Sequence, residues 1–233
     1  MIKKTLQKTI IKTFKELNNL FNSLKVIGKP KIFCIGLNKT GTTSLNAALV
    51  ELGIVVACEK DAKILFKNWA ERDFKPILKF CNRAQAFQDS PFSFPYTFVA
   101  LQQKFPNSKF ILTIRDDEEQ WFNSITKFHS KLWANNDGIP PNKEQLLNAV
   151  NSYKGRPWDV NRILFDTPEN EPYKKEVLLE FYNTYNKSVI DYFKTRPDQL
   201  LVINLTDKNA YKEFVNFIGA SSKQTEFPWK NKT

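Results

Sequence analysis

The feature that most constrains the fold of this chain is an apolar strand followed by a tight loop and a helix, at residues 31–45. The stretch reads KIFCIGLNKTGTTSL. The run of four apolar residues, IFCI, is typical of a strand that is buried on both faces, as in a parallel sheet. Gly36 ends the strand, and a helical apolar pattern begins at Thr42 or Thr43. A helix that starts directly after such a loop can bind an anion with its first N–H groups.

The loop has the composition of a phosphate-binding loop. Gly36 and Gly41 let the backbone approach a ligand closely, and Lys39 adds a positive charge. Hydroxyl groups that can donate hydrogen bonds to phosphate oxygens follow at Thr40, Thr42, Thr43 and Ser44. A loop that binds nucleoside triphosphates has its lysine directly after the second glycine, but here a threonine stands in that place. The loop therefore predicts a phosphate site of a different type.

The position of the lysine resembles the 5′-phosphosulfate loop of sulfotransferases that use 3′-phosphoadenosine 5′-phosphosulfate (PAPS). Their pattern is roughly [KR]-[ST]-G-T-[ST]-x-L, and KTGTTSL at residues 39–45 agrees with it throughout. The resemblance implies that the cofactor is bound by Asn38, Lys39, Thr40, Gly41, Thr42, Thr43 and Ser44. Two other interpretations of the motif remain: a loop that only turns the chain, and the loop of a nucleotide kinase or other NTPase.

A second stretch, KFILTIRDDEEQWFNS, predicts a strand with Arg115 at its carboxyl end, followed by a helix. Sulfotransferases carry a similar strand-end arginine and a serine about eight residues later, and both bind the 3′-phosphate. Arginine suits this role because its planar fork can bond two oxygens at once. Here Ser124 is nine residues after Arg115, and Thr126 could substitute for it. The alternative role of Arg115 is an ion pair with Asp116 or Asp117.

The resemblance covers most of the chain from residue 31 and is closest to bacterial-type sulfotransferases. It extends to LLVINL at 200–205 and to FPWKN at 227–231, which places Trp229 among the cofactor contacts. It implies transfer of a sulfuryl group from PAPS to an acceptor hydroxyl, without a metal ion and with PAP as the product. The other hypotheses are a nucleotide kinase or NTPase that needs Mg²⁺, and a non-catalytic binding protein of the same fold.

Strands and helices alternate along the chain, which predicts an α/β fold: a three-layer sandwich around a parallel sheet of four or five strands, similar to P-loop NTPases. The predicted strands are 31–35, 54–58, 84–88, 109–114 and 200–205. The predicted helices are 1–25, 42–52, 62–83 with a break at Pro76, 95–105, 117–133, 143–153, 173–195 and 208–218. Residues 31–233 are expected to form one domain, in which the loop-rich stretch 134–172 forms a substrate lid.

Four side chains compete for the role of the general base that takes the acceptor proton. They are Asp89, Glu59, Asp61 and His129. Asp89 ranks first, because Asp89-Ser90-Pro91 resembles the catalytic His-x-Pro of cytosolic sulfotransferases, although this aspartate could also be a simple turn residue. Glu59 ranks second, since it and Asp61 follow a predicted strand where glycan-modifying sulfotransferases carry an acidic base. His129 has the most suitable ordinary pKa but lies well inside a predicted helix.

The net charge of +11 suits anionic partners such as nucleotides, sulfated or phosphorylated glycans and anionic lipids, and no signature of nucleic-acid binding is present. The chain has three cysteines without metal spacing, and Cys34 and Cys58 are expected in the cores of predicted strands, which predicts a cytoplasmic protein. Because the chain also has a single histidine, no metal site is expected. The acceptor is expected to be a small molecule or the hydroxyl of a glycan or glycolipid. The stretch 134–172 favours a sugar, because it contains aromatic side chains that could stack on a sugar ring.

Residues 1–30 precede the domain and predict an amphipathic basic helix over 1–25. Its apolar positions are Leu6, Ile10, Phe14, Leu17, Phe21 and Leu24, with lysines on the other faces. No stretch is apolar enough for a signal peptide or a membrane span. The helix is expected either to pack on the edge of the domain or to lie on an anionic membrane surface.

Overall fold

The computed structural model describes residue 13 and residues 16–228, and a parallel sheet runs through their centre. In chain order the strands are β1 (Ile32–Cys34), β2 (Ala86–Phe87), β3 (Lys109–Thr113), β4 (Val150–Asn151), β5 (Tyr153–Lys154) and β6 (Leu200–Ile203). The parallel sheet has the order β2-β1-β3-β6, whereas β4 and β5 form a separate antiparallel hairpin. Ile32 sets the register, since it lies opposite Ala86 of β2 and Lys109 of β3.

Helices connect the parallel strands and cover both faces of the sheet. The α-helices are α1 (16–25), α2 (Thr42–Glu51), α3 (Glu59–Ala62), α4 (Phe66–Ala70), α5 (Lys75–Phe80), α6 (Thr97–Lys104), α7 (Glu118–Trp133), α8 (Lys143–Asn148), α9 (Arg156–Val160), α10 (Lys175–Phe193) and α11 (Ala210–Ile218). Short 3-10 helices occupy Lys63–Leu65, Cys81–Arg83 and Pro197–Gln199, and a π-helical turn occupies Asn161–Phe165.

Successive residues of β1 face two hydrophobic cores, one on each side of the sheet, because side chains alternate along a strand. Phe33 belongs to the larger core, which α6, α7 and α10 complete. Ile32 and Cys34 belong to the smaller core, which α2 and α11 complete. The predicted α/β sandwich with a parallel sheet is therefore confirmed, with four strands in that sheet.

The strand predicted at 54–58 is wrong. In this stretch only Val56 forms a bridge, and its partner is Ala86 of β2. β2 itself is two residues long, because the chain turns away at Asp89, whose φ of 60° lies in the left-handed region. A longer strand at 54–58 would therefore find no edge to pair with. Cys58 is exposed, so its predicted place in a strand core is wrong as well.

The single helix predicted over 62–83 is also wrong, because the chain forms α3, a 3-10 helix, α4 and α5 in this region. The break does not lie at Pro76. This proline is in the first turn of α5, where a missing N–H group costs no helical hydrogen bond. The break lies between α4 and α5, where Arg72 has a left-handed φ of 60°.

The stretch 134–172 is more regular than the loop-rich lid that the sequence predicts. The helix predicted at 143–153 ends at Asn148, and the β4–β5 hairpin, α9 and the π-helical turn follow it. Asn142 and Gln145 form a capping box, which fixes the start of α8. The stretch is therefore a series of short elements and not an open loop.

Only the second half of the predicted N-terminal helix falls within the described residues, where it forms α1. The predicted apolar positions outside them are Leu6, Ile10 and Phe14. The predicted apolar positions in α1 are all exposed: Leu17, Phe21 and Leu24. These three residues do not pack on the domain, so the expectation that this helix face packs on the domain edge is wrong for α1. No helix in the described part of the chain combines the length and the apolar character needed to cross a bilayer.

Gly36 is required where β1 passes β3, and its replacement provides a test of the fold. A Cβ atom at this position would overlap Thr113 Oγ1 and lie 2.7 Å from the backbone N and O atoms of Thr113. We expect Gly36→Ala to lower the free energy of unfolding by about 3 kcal/mol, the upper end for overpacking, as measured by urea denaturation. Gly53→Ala is the control, because its added Cβ meets open space and costs only about 1 kcal/mol of left-handed strain. Equal losses would mean that the close approach at Gly36 is not the constraint.

Candidate functional site

The loop between β1 and α2 is held from outside through its carbonyl oxygens. The Tyr185 hydroxyl donates to the carbonyl of Ile35 (2.6 Å), and the Thr40 hydroxyl donates to that of Leu37 (2.6 Å). Trp121 Nε1 donates to the carbonyl of Asn38 (2.9 Å), and Arg115 Nε donates to that of Lys39 (2.6 Å). Three of these donors come from other elements: α10, α7 and the residues after β3. With its carbonyl groups bonded in this way, the loop has a fixed shape and leaves N–H groups for a ligand.

The loop ends at the N-terminus of α2. Gly41 is the N-cap residue and has a left-handed φ of 96°, and Lys39 has a left-handed φ of 73°. The first N–H groups of an α-helix have no acceptor within the helix, and the helix dipole makes this end attractive to an anion. Thr42 and Thr43 lie in this first turn. Thr40 differs from them, because its hydroxyl already donates to Leu37 and lies 2.5 Å from the Thr113 hydroxyl, so it supports the shape of the loop.

A cavity of about 430 Å³ lies at the carboxyl ends of the parallel strands and contains most of the predicted site residues. Its walls include Asn38, Lys39, Thr40, Gly41, Thr42, Thr43, Ser44, Glu59, Asp89, Arg115 and His129. Of the other predicted site residues, Asp61 and Ser124 do not line this cavity, and Trp229 lies outside the described residues. The sheet thus brings together residues that are far apart in the sequence, as a parallel topology predicts.

Three cationic side chains of the described residues line this cavity: Lys39, Arg115 and Lys63. Burial lowers the pKa of Lys39, and the positive charges of Arg115 and Lys131 lower it further. The Lys39 ammonium lies 4.0 Å from the centre of the Phe128 ring, which is a cation–π contact. Burial likewise lowers the pKa of Arg115. A partly desolvated cation attracts an anion more strongly than an exposed one, because water screens the charge less.

The ion pair of Arg115 with Asp116 or Asp117 is not formed, so that alternative is wrong. Asp116 instead accepts hydrogen bonds from Gln120 (2.6 Å) and Asn204 (2.5 Å). Asp117 is the N-cap residue of α7 and accepts from the backbone N–H group of Gln120. The Arg115 side chain is therefore anchored through its Nε atom and the carbonyl of the loop, which leaves the rest of the guanidinium for a ligand.

The two residues proposed to assist Arg115 have different environments. Ser124 Oγ is buried and has no hydrogen-bond partner within the described part of the chain. The hydroxyl of Thr126 donates to the carbonyl of Phe122 at 2.8 Å, one turn back in α7. Thr126 is thus occupied and cannot substitute for Ser124. An unpartnered buried hydroxyl costs free energy, so Ser124 is the better candidate for a further ligand contact.

Asp89 and Glu59 share one lysine that sequence reasoning missed. Lys63 Nζ lies 3.1 Å from Asp89 Oδ2 and 3.8 Å from Glu59 Oε2. The second oxygen of Asp89 accepts from the N–H group of Ser90 at 2.7 Å, and Glu59 also accepts from Gln88 at 2.5 Å. The predicted helix over 62–83 left Glu59 outside it, so the spacing of four residues between Glu59 and Lys63 gave no signal in the sequence; in the structure Glu59 begins α3. Both carboxylates are held at the cavity wall, and Asp89 is the closer of the two to the lysine.

His129 is a poor candidate for the base. Burial and the charge of Lys39 lower its pKa to about 3, so the ring is neutral around pH 7 and has little affinity for a proton. Its Nδ1 atom lies 2.7 Å from the Tyr173 hydroxyl, and its ring centre is 4.5 Å from that of Trp133. The ring is therefore part of an aromatic wall. This agrees with its low rank among the four candidates.

A second cavity, of about 70 Å³, adjoins the first. The two share Asn38, Lys63, Asp89, His129, Trp133 and Asn151. Beyond this junction the walls are mainly apolar: Leu37, Phe94, Trp121, Ile125, Pro157, Val160, Leu164, Phe165 and Tyr173. α9 and the π-helical turn supply several of these side chains. The carboxylate of Asp89 thus stands between a polar cationic cavity and a smaller apolar one.

A family profile described as sulfotransferase domain matches residues 31–233. The chain belongs to the sulfotransferase family. No curated protein matches it. The match spans the loop with Lys39, the strand end with Arg115 and both carboxylates, so every element of the cavity lies within the family's domain.

The site of this sulfotransferase fits an anionic nucleotide such as PAPS. Lys39 and Arg115, with the N–H and hydroxyl groups at the start of α2, form a donor set that makes no ion pair with a carboxylate of residues 16–228. Such a set suits phosphate and sulfate oxygens. Ser124, within α7, does not line this cavity, although its buried hydroxyl has no partner among the described residues. Asn204 and Thr206, which follow β6, also line the cavity.

The hydrogen bond from Trp121 to Asn38 can be tested by changing the indole alone. Trp121→Phe removes the donor to the loop, and we expect PAP to bind at least about tenfold more weakly, because the loss of one neutral hydrogen bond of about 1 kcal/mol also loosens the loop. Trp69→Phe is a matched control, since its indole also donates a 2.9 Å bond to a backbone carbonyl, that of Pro95. Isothermal titration with PAP measures both affinities. Equal weakening in the two variants would contradict the role of the loop bond.

Proposed function

We propose that this sulfotransferase transfers a sulfuryl group from PAPS to the hydroxyl of an acceptor by in-line displacement. The observation that carries the proposal is the position of Asp89 in the wall of the cavity that also contains Lys39 and Arg115. One side of the site can hold an anionic donor, and the carboxylate on the other side can take a proton. A nucleotide kinase would need a lysine directly after Gly41, where the chain has Thr42.

The cofactor would be held by three groups of donors. The N–H groups at the start of α2, with the hydroxyl groups of Thr42 and Thr43, would bind the 5′-phosphosulfate. Arg115 would bind the 3′-phosphate, assisted by Ser124, whose buried hydroxyl has no other partner. Bound PAPS would supply the sulfuryl group and leave as PAP. Asn38 and Ser44 complete the wall on this side, and contact by Trp229 stays a prediction.

Lys39 would stabilise the negative charge that develops on the leaving phosphate. Its ammonium is partly buried and has no carboxylate contact in the described residues, so its charge is available to the ligand. A fixed charge in a partly desolvated site stabilises a transition state more effectively than water does. The scheme needs no metal ion, because Lys39 and the α2 N-terminus provide the positive charge.

Asp89 would act as the general base. The acceptor oxygen forms a bond to sulfur, the bond between sulfur and the phosphate oxygen of the cofactor breaks, and the acceptor proton moves to the Asp89 carboxylate. Lys63 and the N–H group of Ser90 hold this carboxylate in place. Glu59 contacts the same lysine from the other side and is the second candidate. Asp61 and His129 rank behind them, since one is not in the cavity and the other is a neutral ring of low pKa.

The acceptor would enter through the smaller cavity. Several polar side chains there are already bonded to the protein: Asn161 to Pro172 and Thr167, Tyr173 to His129, and Arg156 Nη2 to the Ser90 hydroxyl. Two buried polar atoms of the wall have no partner among the described residues, Ser93 Oγ and Arg156 Nε. A sugar unit carries more hydroxyl groups than these two atoms could bond, and each buried hydroxyl left without a partner costs about 1–3 kcal/mol. These walls favour an acceptor with one hydroxyl group on an apolar body. The glycan or glycolipid acceptor stays a prediction and is the competing result of the acceptor test.

A cytoplasmic location also stays a prediction. The support for it is that Cys34, Cys58 and Cys81 are free thiols. Free cysteines are typical of a reducing compartment.

The role of Asp89 is tested by Asp89→Asn, which keeps the shape of the side chain and removes its basicity. We expect kcat to fall by about 10²–10⁴, whereas PAP still binds. Glu59→Gln is the matched variant, because it removes the other carboxylate near Lys63 and should have a smaller effect. Turnover of labelled PAPS and titration with PAP are the two measurements, with ATP and Mg²⁺ as the control ligand.

Each outcome of that experiment has a distinct meaning. If Glu59→Gln loses activity and Asp89→Asn does not, the base is Glu59. If the unchanged protein binds ATP with Mg²⁺ as tightly as PAP, the nucleotide kinase is the better hypothesis. If PAP binds but no acceptor is sulfated in any variant, the non-catalytic binding protein is favoured.

The acceptor route is tested by filling the smaller cavity. Val160→Phe adds volume to its wall, so we expect the KM of an apolar alcohol such as 2-naphthol to rise at least about tenfold, with the affinity for PAP unchanged. Ile163→Phe is the control, because Ile163 is exposed and does not line the cavity. Initial rates are measured with 2-naphthol, benzyl alcohol and cellobiose as acceptors. Sulfation of cellobiose in preference to both apolar alcohols would overturn the apolar route.

A further inference from the structure

Five apolar residues at the end of the N-terminal segment are more than half exposed. This apolar stripe consists of Leu17 (59%), Leu20 (58%), Phe21 (56%), Leu24 (59%) and Ile27 (73%). The first four lie in α1 at intervals of three and four residues, which places them within an arc of about 100° on one side of the helix. An exposed apolar face of this kind on a globular protein marks a surface that contacts something else.

The same segment carries most of the excess positive charge of the protein. Residues 1–31 contain eight lysines and one glutamate, so they account for seven of the eleven net charges of the chain. The remaining 202 residues share the other four. An apolar helix face combined with a local excess of lysine suits an anionic bilayer, where apolar side chains enter the interface and lysines attract the headgroups.

This charge argues against a second copy of the chain as the occupant. If two stripes packed face to face, two segments that each carry seven excess positive charges would lie side by side. These like charges would repel each other. An anionic surface has the opposite charge and relieves this repulsion. The occupant that fits both the apolar and the electrostatic features is therefore a lipid surface.

The position of α1 keeps the cavity accessible when the helix is bound. α1 leads into the amino end of β1, whereas the cavity lies at the carboxyl ends of the strands. Val26 is buried and joins the end of α1 to the domain, close to Lys104 and Ser108, which precede β3. The helix and the cavity thus lie at opposite edges of the sheet.

We propose that the apolar stripe of α1 docks on the surface of an anionic lipid bilayer, with the cavity directed toward the aqueous phase. The lysine-rich segment supplies the electrostatic attraction, and the stripe supplies the apolar contact. The enzyme is then concentrated at a membrane but receives its acceptor from solution. This inference does not depend on the identity of the acceptor or of the general base.

The experiment is co-sedimentation of the full-length protein with sucrose-loaded vesicles. We expect binding to vesicles of 70% phosphatidylcholine and 30% phosphatidylglycerol to be at least about tenfold stronger than binding to phosphatidylcholine alone, because the anionic lipid attracts the lysines. Binding to the anionic vesicles should weaken between 0.1 and 0.5 M salt, because salt screens this attraction. The test variant is Leu20→Asp/Leu24→Asp, which should lower binding to the anionic vesicles at least about tenfold. Both positions are exposed, so the domain should fold and bind PAP as before.

The matched control is Ile139→Asp, since Ile139 is as exposed as the stripe (67%) but belongs to the domain. It should bind vesicles like the unchanged protein. Equal binding of the double variant and the unchanged protein would overturn the proposal, as would equal binding to the two lipid mixtures. A dimer in light scattering that the double variant abolishes, without vesicle binding by the unchanged protein, would assign the stripe to a second copy instead.

Discussion

The hydrogen bonds to the carbonyl groups of the loop after β1 are the interactions on which the site depends. A loop with two left-handed residues, Lys39 and Gly41, would otherwise have many conformations of similar energy. Donors from Trp121, Arg115 and Tyr185 select one of them. These donors lie in α7, just after β3 and in α10, respectively. The shape of the loop therefore depends on how α7 and α10 pack on the sheet.

Arg115 illustrates how one side chain can serve both structure and function. Its Nε atom bonds the loop, and its backbone N–H group donates to the Tyr182 hydroxyl at 2.9 Å, so the residue is fixed at two points. The neighbouring acidic residues bond to other groups, which leaves the guanidinium without an ion pair among the residues that the structure describes. A fixed and unpaired cation is pre-organised for an anionic ligand, since no ion pair has to break first.

The two cavities divide the site by polarity. The larger has cationic and hydroxyl groups, whereas the walls of the smaller are mainly aromatic and aliphatic, with a few polar side chains such as Asn161, which is bonded to Pro172. Asp89 and Lys63 lie at the junction of the two cavities, where the acceptor oxygen would lose its proton and gain the sulfuryl group. The stretch 134–172 forms one wall of the smaller cavity, so variation there would change the acceptor and leave the donor side intact.

The sequence by itself was enough to predict the parallel sheet, the loop between β1 and α2 and the sulfotransferase family. Local patterns carry that information: the apolar run before Gly36, the helix after Gly41 and the strand that ends at Arg115. It also named four candidates for the general base and ranked Asp89 first and Glu59 second, ahead of Asp61 and His129. Only the tertiary structure placed Lys63 between the two carboxylates, lowered the pKa of His129 and formed the apolar cavity from α9. These features depend on contacts between residues that are distant in the chain, and such contacts leave no periodicity or motif in the sequence.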